Sequence, residues 1–124
     1  MAQAMVVDDS RAMRMILRRS LERFGFEVAQ AGNGKEALEQ IQGGSAPVSL
    51  CLVDWNMPEM NGLEFVKKLR ANPQFGSIPV MMVTTETEAE QISTALDAGA
   101  NEYVIKPFTD ETIEEKLRLL GVLG

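Results

Sequence analysis

The stretch VSLCLVDWNMPEMNGLEFVKKL, residues 48–69, decides the fold. It opens with a mostly apolar run over residues 48–53, which ends at Asp54. Turn-forming residues fill positions 55–62. Apolar residues then recur at helical spacing, at Leu63, Val66 and Leu69. Because a continuously apolar strand is typical of a parallel sheet covered on both faces, the stretch predicts a buried strand, a loop and a helix.

The same strand–helix unit recurs along the whole chain. Four more short segments, at residues 5–7, 26–31, 80–83 and 103–105, each precede a segment with apolar residues at three- and four-residue spacing. Five unbroken repeats predict one α/β domain over residues 1–124, with a parallel sheet, helices on both faces and right-handed crossovers. This is a doubly wound sheet, and the alternating pattern of residues 26–31 suits an edge strand.

Two of the helical segments show the pattern clearly. The first helix opens at Ser10, ends at Gly25 and carries apolar residues at three- and four-residue spacing, at Met13, Ile16, Leu17, Leu21 and Phe24. The fourth helix ends at Gly99 and carries Ile92 and Leu96.

Residue usage excludes several kinds of chemistry. The 124 residues include no histidine, so Ser-His-Asp and Cys-His catalysis and imidazole-bound zinc are excluded. A metal would need oxygen ligands, which favours Mg²⁺ or Ca²⁺. The lone cysteine, Cys51, cannot form an internal disulfide and fits a reducing cytoplasm.

Charge and hydropathy limit the partners. Residues 86–118 hold 9 of the 18 acidic residues and 3 of the 12 basic ones, which accounts for the net charge of −6. This acidity argues against direct binding of nucleic acid. No apolar run approaches the ~20 residues that cross a bilayer, and the amino terminus lacks a signal-peptide pattern. We expect a cytoplasmic protein that contacts neither nucleic acid nor membrane.

Four of the predicted strands end in polar residues. Asp8 and Asp9 follow the first strand, Asp54 the third, Thr84 the fourth and Lys106 the fifth. Ligands of doubly wound sheets bind beyond the carboxyl ends of the strands, where these side chains would converge. Three carboxylates brought together repel one another, so they take up a proton or bind a cation, and Mg²⁺ suits such a set.

Each of these residues also has an ordinary structural interpretation. Asp9 or Ser10 could cap the first helix, and Asp54 could belong to a turn. Thr84 suits a strand, and Lys106 could be an exposed loop lysine. Their joint occurrence at the strand ends favours a functional site.

The pattern of motifs resembles the signature of the response-regulator receiver domain. The matching motifs are Asp8-Asp9, Asp54 with Met57-Pro58 and Gly62, Thr84, and Lys106-Pro107-Phe108. The similarity runs from about Met5 to Leu120, and within the family it points to the stand-alone chemotaxis regulators. It implies a flavodoxin-like (βα)5 fold, with five parallel strands in the order 2-1-3-4-5, and a role in two-component signalling.

The resemblance assigns roles to the acidic residues. Asp54 is implied to be the phosphoacceptor, taking its phosphoryl group from a phosphohistidine on a sensor histidine kinase (CheA-like). Asp9, Asp54 and the backbone carbonyl of Asn56 are implied to hold Mg²⁺, with Asp8 acting through water. The protein would then need no enzymatic activity beyond self-catalysed phosphoryl acceptance and autodephosphorylation.

The resemblance also assigns a switch. Lys106, joined to Pro107 by a cis peptide bond, would supply a second positive charge, and Thr84 a hydrogen bond. Thr84 and Tyr103 would move together and alter the face formed by the fourth helix, the fifth strand and the fifth helix. Tyr103 as an ordinary strand aromatic stays an alternative.

Asn56 and Glu86 are implied to tune dephosphorylation. They lie two residues after Asp54 and Thr84, beside the route of the hydrolytic water, which predicts a short-lived phosphoaspartate. The expected target is a flagellar motor switch protein, bound by a monomer, with a phosphatase as a possible further partner. Residues 87–90 are acidic where well-studied chemotaxis regulators carry lysines, so another target stays open.

Three other functions remain alternatives. A stand-alone phosphorelay receiver would pass its phosphoryl group to another histidine protein. An aspartyl-phosphate phosphatase needs an acid two residues after its nucleophile, where Asn56 stands. A flavin module would present hydroxyls and amides to phosphate after the first strand, where Asp8 and Asp9 would repel it.

Overall fold

The computed structural model describes residues 2–44 and 47–123, in which five strands alternate with five helices. In chain order the elements are β1 (Gln3–Val7), α1 (Arg11–Arg23), β2 (Glu27–Ala31), α2 (Gly34–Gly43), β3 (Val48–Val53), α3 (Gly62–Ala71), β4 (Val80–Thr84), α4 (Ala89–Ala98), β5 (Glu102–Ile105) and α5 (Asp110–Leu119). None of the helices in this part of the chain is long and apolar enough to cross a bilayer.

The sheet is parallel throughout and has the order β2-β1-β3-β4-β5. From β1 the chain moves outward to β2, then returns past β1 to β3 and continues to β5 in the opposite direction. This reversal lies between β1 and β3, and it opens a crevice at their carboxyl ends. The predicted fold class and strand order are confirmed.

Two apolar layers cover the sheet, because successive side chains of a strand point to opposite faces. Helices α2, α3 and α4 pack on one face, whose buried residues include Met5, Val7, Cys51, Val53, Val80 and Met82. Helices α1 and α5 pack on the other, whose buried residues include Ala4, Val6, Leu50, Leu52, Met81 and Val83. Burial raises the pKa of the Cys51 thiol to about 12, so this side chain is part of the core rather than a reactive group.

Side-chain caps begin most of the helices. Four of the five start after a residue whose side chain accepts a hydrogen bond from the backbone three positions ahead, namely Ser10, Asn33, Asn61 and Thr109. Helix α4 is the exception, since Glu88 at its N-cap makes no side-chain capping bond. Its other end is formed by Gly99, which adopts the left-handed conformation at φ 119°.

Two apolar residues of the helical pattern lie at the surface. Ile16 is 49% exposed and Leu96 is 43% exposed, whereas their neighbours Leu17 and Ala95 are buried. Each residue turns a helix by about 100°, so the buried stripe includes the neighbour and excludes these two. Ile92 is half-buried. Three- and four-residue spacing alone therefore leaves the edges of the buried stripe undefined.

Candidate functional site

Three carboxylates meet at the reversal point of the sheet. Asp8 and Asp9 follow β1, Asp54 follows the adjacent β3, and one oxygen from each lies within 4.8 Å of the others. Asp8 is only 1% exposed and Asp54 9%, whereas Asp9 is exposed. The three residues that the sequence predicted as metal ligands through their side chains are thus brought together.

Asp8 is held firmly at the end of β1. Its backbone N–H donates to the Ala31 carbonyl at 3.1 Å, which extends the pairing with β2. The carboxylate accepts the Ser10 backbone N–H on Oδ1 at 2.9 Å and the Lys106 ammonium on Oδ2 at 2.8 Å. Because both carboxylate oxygens already have a donor, the side chain has a fixed orientation beside the other two acids.

Asp54 is oriented by the chain that follows it. Its Oδ1 accepts the Trp55 backbone N–H at 2.7 Å, and its Oδ2 lies 3.4 Å from the Lys106 ammonium. Gly62, the first residue of α3, lies close to the backbone of Asp54: a Cβ added at Gly62 would lie 2.2 Å from the Asp54 carbonyl oxygen. Only glycine allows α3 to begin this close to the end of β3.

Lys106 lies between Asp8 and Asp54 with 13% of its side chain exposed. Its backbone N–H donates to the Thr84 carbonyl at 2.9 Å, and the peptide bond to Pro107 is cis. One ammonium faces three carboxylates, so about two negative charges remain uncompensated in the cluster. Oxygen ligands of this charge, one exposed and two buried, fit a hard divalent cation such as Mg²⁺.

Glu86 links the site to β5. Its carboxylate accepts the Asn56 side-chain amide at 2.6 Å, and its backbone carbonyl accepts the Tyr103 hydroxyl at 2.9 Å. Burial raises the pKa of Tyr103, and the negative charges of Glu86 and Asp54 raise it further. These contacts connect the loop after β3 to Tyr103 on β5 through one residue.

Thr84 is fully buried at the end of β4. Its hydroxyl accepts the Glu86 backbone N–H at 3.4 Å, a long and therefore weak hydrogen bond. Because this hydrogen bond is weak, breaking it costs little free energy when the hydroxyl turns toward a new acceptor in the crevice.

One contact of the site had no signal in the sequence. The Arg14 guanidinium donates from Nη1 to the Asp8 carbonyl at 2.7 Å and from Nε to the Gln30 side chain at 3.2 Å. Five arginines lie between positions 11 and 23, and nothing in their spacing distinguishes this one. Only the placement of α1 against the end of β1 selects it.

Comparison with known proteins is consistent with this geometry. The profile of the response regulator receiver domain matches residues 4–118. Chemotaxis protein CheY1 of Helicobacter pylori is 48% identical over 97% of this chain and 95% of its own length. The chemotaxis protein CheY homolog of Campylobacter jejuni is 46% identical, covering 97% of this chain and 91% of its own.

Solved structures are similar over the same extent. The high-resolution structure of Vibrio cholerae chemotaxis protein CheY4 has a TM-score of 0.88 and 38% sequence identity, over 96% of this chain and 98% of its own. A CheY-like receiver domain protein from Methanospirillum hungatei has a TM-score of 0.86 and 28% identity, over 97% of this chain and 93% of its own.

Proposed function

The chain belongs to the response regulator receiver domain family, and from that membership we propose that it is a two-component response regulator with Asp54 as the phosphoacceptor. The observation that carries the proposal is the cluster of Asp8, Asp9 and Asp54 around the Lys106 ammonium. Phosphoryl transfer depends on positioning and on neutralising charge, and this cluster supplies both.

The proposed reaction is a transfer from a phosphohistidine of a sensor histidine kinase. A carboxylate oxygen of Asp54 forms the new O–P bond, the P–N bond of the donor breaks, and its electron pair stays on the imidazole, which takes up a proton. The Trp55 backbone N–H orients the attacking carboxylate. Lys106, 2.8 Å from Asp8 and 3.4 Å from Asp54, stands where it can pair with a phosphoryl oxygen.

The residues proposed to hold Mg²⁺ are Asp9, Asp54 and the backbone carbonyl of Asn56, with Asp8 acting through water. When bound, the ion would supply positive charge that lowers the repulsion between the acceptor and the incoming phosphoryl group. Asp8 suits an indirect role because Ser10 and Lys106 already donate to its two oxygens.

We propose that Thr84 and Tyr103 transmit the phosphorylation signal. The buried Thr84 hydroxyl would turn toward a phosphoryl oxygen, and Tyr103 is joined to the same loop through the Glu86 carbonyl. The face that would respond, α4–β5–α5, carries one exposed large apolar residue on each element, at Leu96, Ile105 and Leu119. These three side chains are the ones to replace when binding to this face is tested.

The names of the relatives support a role in chemotaxis for this chain. The proposed target is a flagellar motor switch protein, bound by a cytoplasmic monomer through α4–β5–α5. The hydrogen bond between Asn56 and Glu86 joins the loops that follow β3 and β4. It supports the proposal that these two residues control hydrolysis, with or without a partner phosphatase. The chain's own chemistry would be limited to accepting and losing one phosphoryl group.

Treatment with acetyl phosphate followed by intact-mass measurement tests the acceptor. We expect one added phosphoryl group, absent after chelation of Mg²⁺ and absent in Asp54→Asn. The matched control is Asp97→Asn, which removes an exposed acid of α4 and should leave modification intact. A phosphoryl group that persists in Asp54→Asn or in chelator would contradict the assignment.

Binding of a motor-switch peptide, with and without beryllofluoride as phosphoryl mimic, tests the output. Tighter binding with the mimic, weakened by Ile105→Ala, supports the chemotaxis role. Transfer of the phosphoryl group to a histidine protein, without binding of the peptide, would instead assign the chain to a phosphorelay.

A further inference from the structure

We propose that Arg14 is a positioning residue of the magnesium site, a role that rests on the proposed function. It lies on the first turns of α1 and is half-buried. From Nη1 it donates to the backbone carbonyl of Asp8 at 2.7 Å, and from Nε to the side chain of Gln30 on β2 at 3.2 Å. It thereby ties the end of β1 to the edge of the sheet.

The carbonyl that Arg14 binds sits where the chain leaves the sheet. The Asp8 N–H makes the last bond to β2, through the Ala31 carbonyl, and α1 begins only at Arg11. The Asp8 carbonyl is therefore not part of a strand ladder or of the helix, and Arg14 supplies its donor. Asp9 follows that carbonyl directly, so the direction of its exposed carboxylate depends on the turn that Arg14 fixes.

The other arginines of α1 have different surroundings. Arg18 pairs with Glu22 on the same helix, with half of its side chain exposed. Arg23 pairs with Asp110 of α5. Neither contact involves a residue of the acidic cluster, so Arg18 offers a matched control that removes the same charge from the same helix.

Loss of the Arg14 charge and loss of the turn that Arg14 fixes are expected to change the Mg²⁺ affinity in opposite directions. A guanidinium close to the site repels a dication, so loss of the charge alone should leave Mg²⁺ affinity unchanged or raise it. Loss of the fixed turn should lower the affinity, because residues that orient metal ligands typically contribute ~10-fold or more. The direction of the change therefore separates a positioning residue from a bystander.

The test is a Mg²⁺ titration followed by the fluorescence of Trp55, the single tryptophan, whose backbone N–H donates to Asp54. We expect Arg14→Met to weaken Mg²⁺ binding about 10-fold, and Arg14→Lys to recover part of the loss. Arg18→Met should stay within about twofold of the wild type, since its charge is exposed and screened. Equal or tighter binding by Arg14→Met would overturn the proposal.

A second variant covers the case in which Arg14→Met fails to fold. Gln30→Met keeps the guanidinium charge but removes its Nε partner, and it should weaken Mg²⁺ binding in the same direction by a smaller factor. Acetyl phosphate modification at saturating Mg²⁺ should proceed at a near wild-type rate in both variants, with the half-saturating Mg²⁺ concentration raised. A wild type that shows no Mg²⁺ response would refute the proposed function itself, whereas a wild-type response equalled by Arg14→Met refutes this inference alone.

Discussion

Helices α3 and α4 lie side by side on one face of the sheet and have ten residues each, yet they are held very differently. Helix α3 buries Gly62, Phe65, Val66 and Leu69, whereas α4 buries Ala95 alone. The start of α3 is fixed by a capping box between Asn61 and Glu64. The fold thus anchors the helix that supports Asp54 more firmly than the helix that follows Thr84.

The attachment of α4 is concentrated at its carboxyl end. Arg70, on the last turn of α3, donates to the carbonyls of Gly76, Ile78 and Gly99 and to the Asn101 side chain. Burial of this guanidinium lowers its pKa. The amino end of α4 follows Glu86, which contacts Asn56 and Tyr103. Helix α4 is therefore hydrogen-bonded to α3 through Gly99 at its carboxyl end, whereas Glu88 at its amino end makes no side-chain cap.

The largest expected loss of stability comes from a substitution at the start of α3. Gly62→Ala should destabilise the fold by about 4 kcal/mol, because the added Cβ would lie 2.2 Å from the Asp54 carbonyl oxygen and the backbone would have to shift. Urea unfolding measures the change. The control is Gly43→Ala, where an added Cβ meets nothing within 4 Å and stability should change by less than about 1 kcal/mol. Equal stability of the two variants would show that the close approach is unimportant.

A pair of leucines tests the difference in packing. Leu69 of α3 is fully buried and Leu96 of α4 is 43% exposed. Leu69→Ala should cost about 3 kcal/mol through lost burial and a cavity, and Leu96→Ala less than about 0.5 kcal/mol. Both values come from the same urea titration. If the two costs were similar, α4 would be packed as firmly as α3.

Substitutions at the N-caps of α3 and α4 are expected to have smaller effects on stability, and the two effects have opposite signs. Asn61→Ala should lower stability by about 1 kcal/mol because it removes the cap of α3. Glu88→Ser should raise stability by about 0.5–1 kcal/mol, since a serine at this N-cap forms a capping box with Gln91. Thermal unfolding measures both, and a destabilised Glu88→Ser would contradict the account of α4.

The smallest expected effect is in the titration of Tyr103, the only tyrosine. Its pKa is raised by burial and by the charges of Glu86 and Asp54, so the neutral phenol is favoured in the folded state. The associated stability is complete below the unfolded pKa of about 10 and is lost as pH rises through the folded value. Phenolate absorbance should show ionisation above 10, with a lower midpoint in Glu86→Gln. A midpoint at or below about 10 would contradict the raised pKa, and an unchanged midpoint in Glu86→Gln would contradict the contribution of the Glu86 charge.

The features of the site that depend on the strand ends could be predicted from the sequence. The features that depend on the orientation of a helix could not. Asp8, Asp9 and Asp54 could be placed together because parallel strands present their carboxyl ends at one edge. The exposure of Ile16 and Leu96 could not, because it depends on which side of each helix touches the sheet. The roles of Arg14 and Arg70 were also beyond prediction, since each donates to one side chain far along the chain and otherwise to backbone carbonyls, which leave no mark in the residue pattern.

The burial of Cys51 makes the wild-type chain a convenient background for site-specific labelling. A thiol with a pKa of about 12 inside the sheet stays protonated and out of reach of maleimides and methanethiosulfonates at neutral pH. A spin label or fluorophore attached to one cysteine introduced at Glu88 would therefore report from that position alone. The signal of this label could follow the amino end of α4 on addition of acetyl phosphate, without any cysteine first being removed.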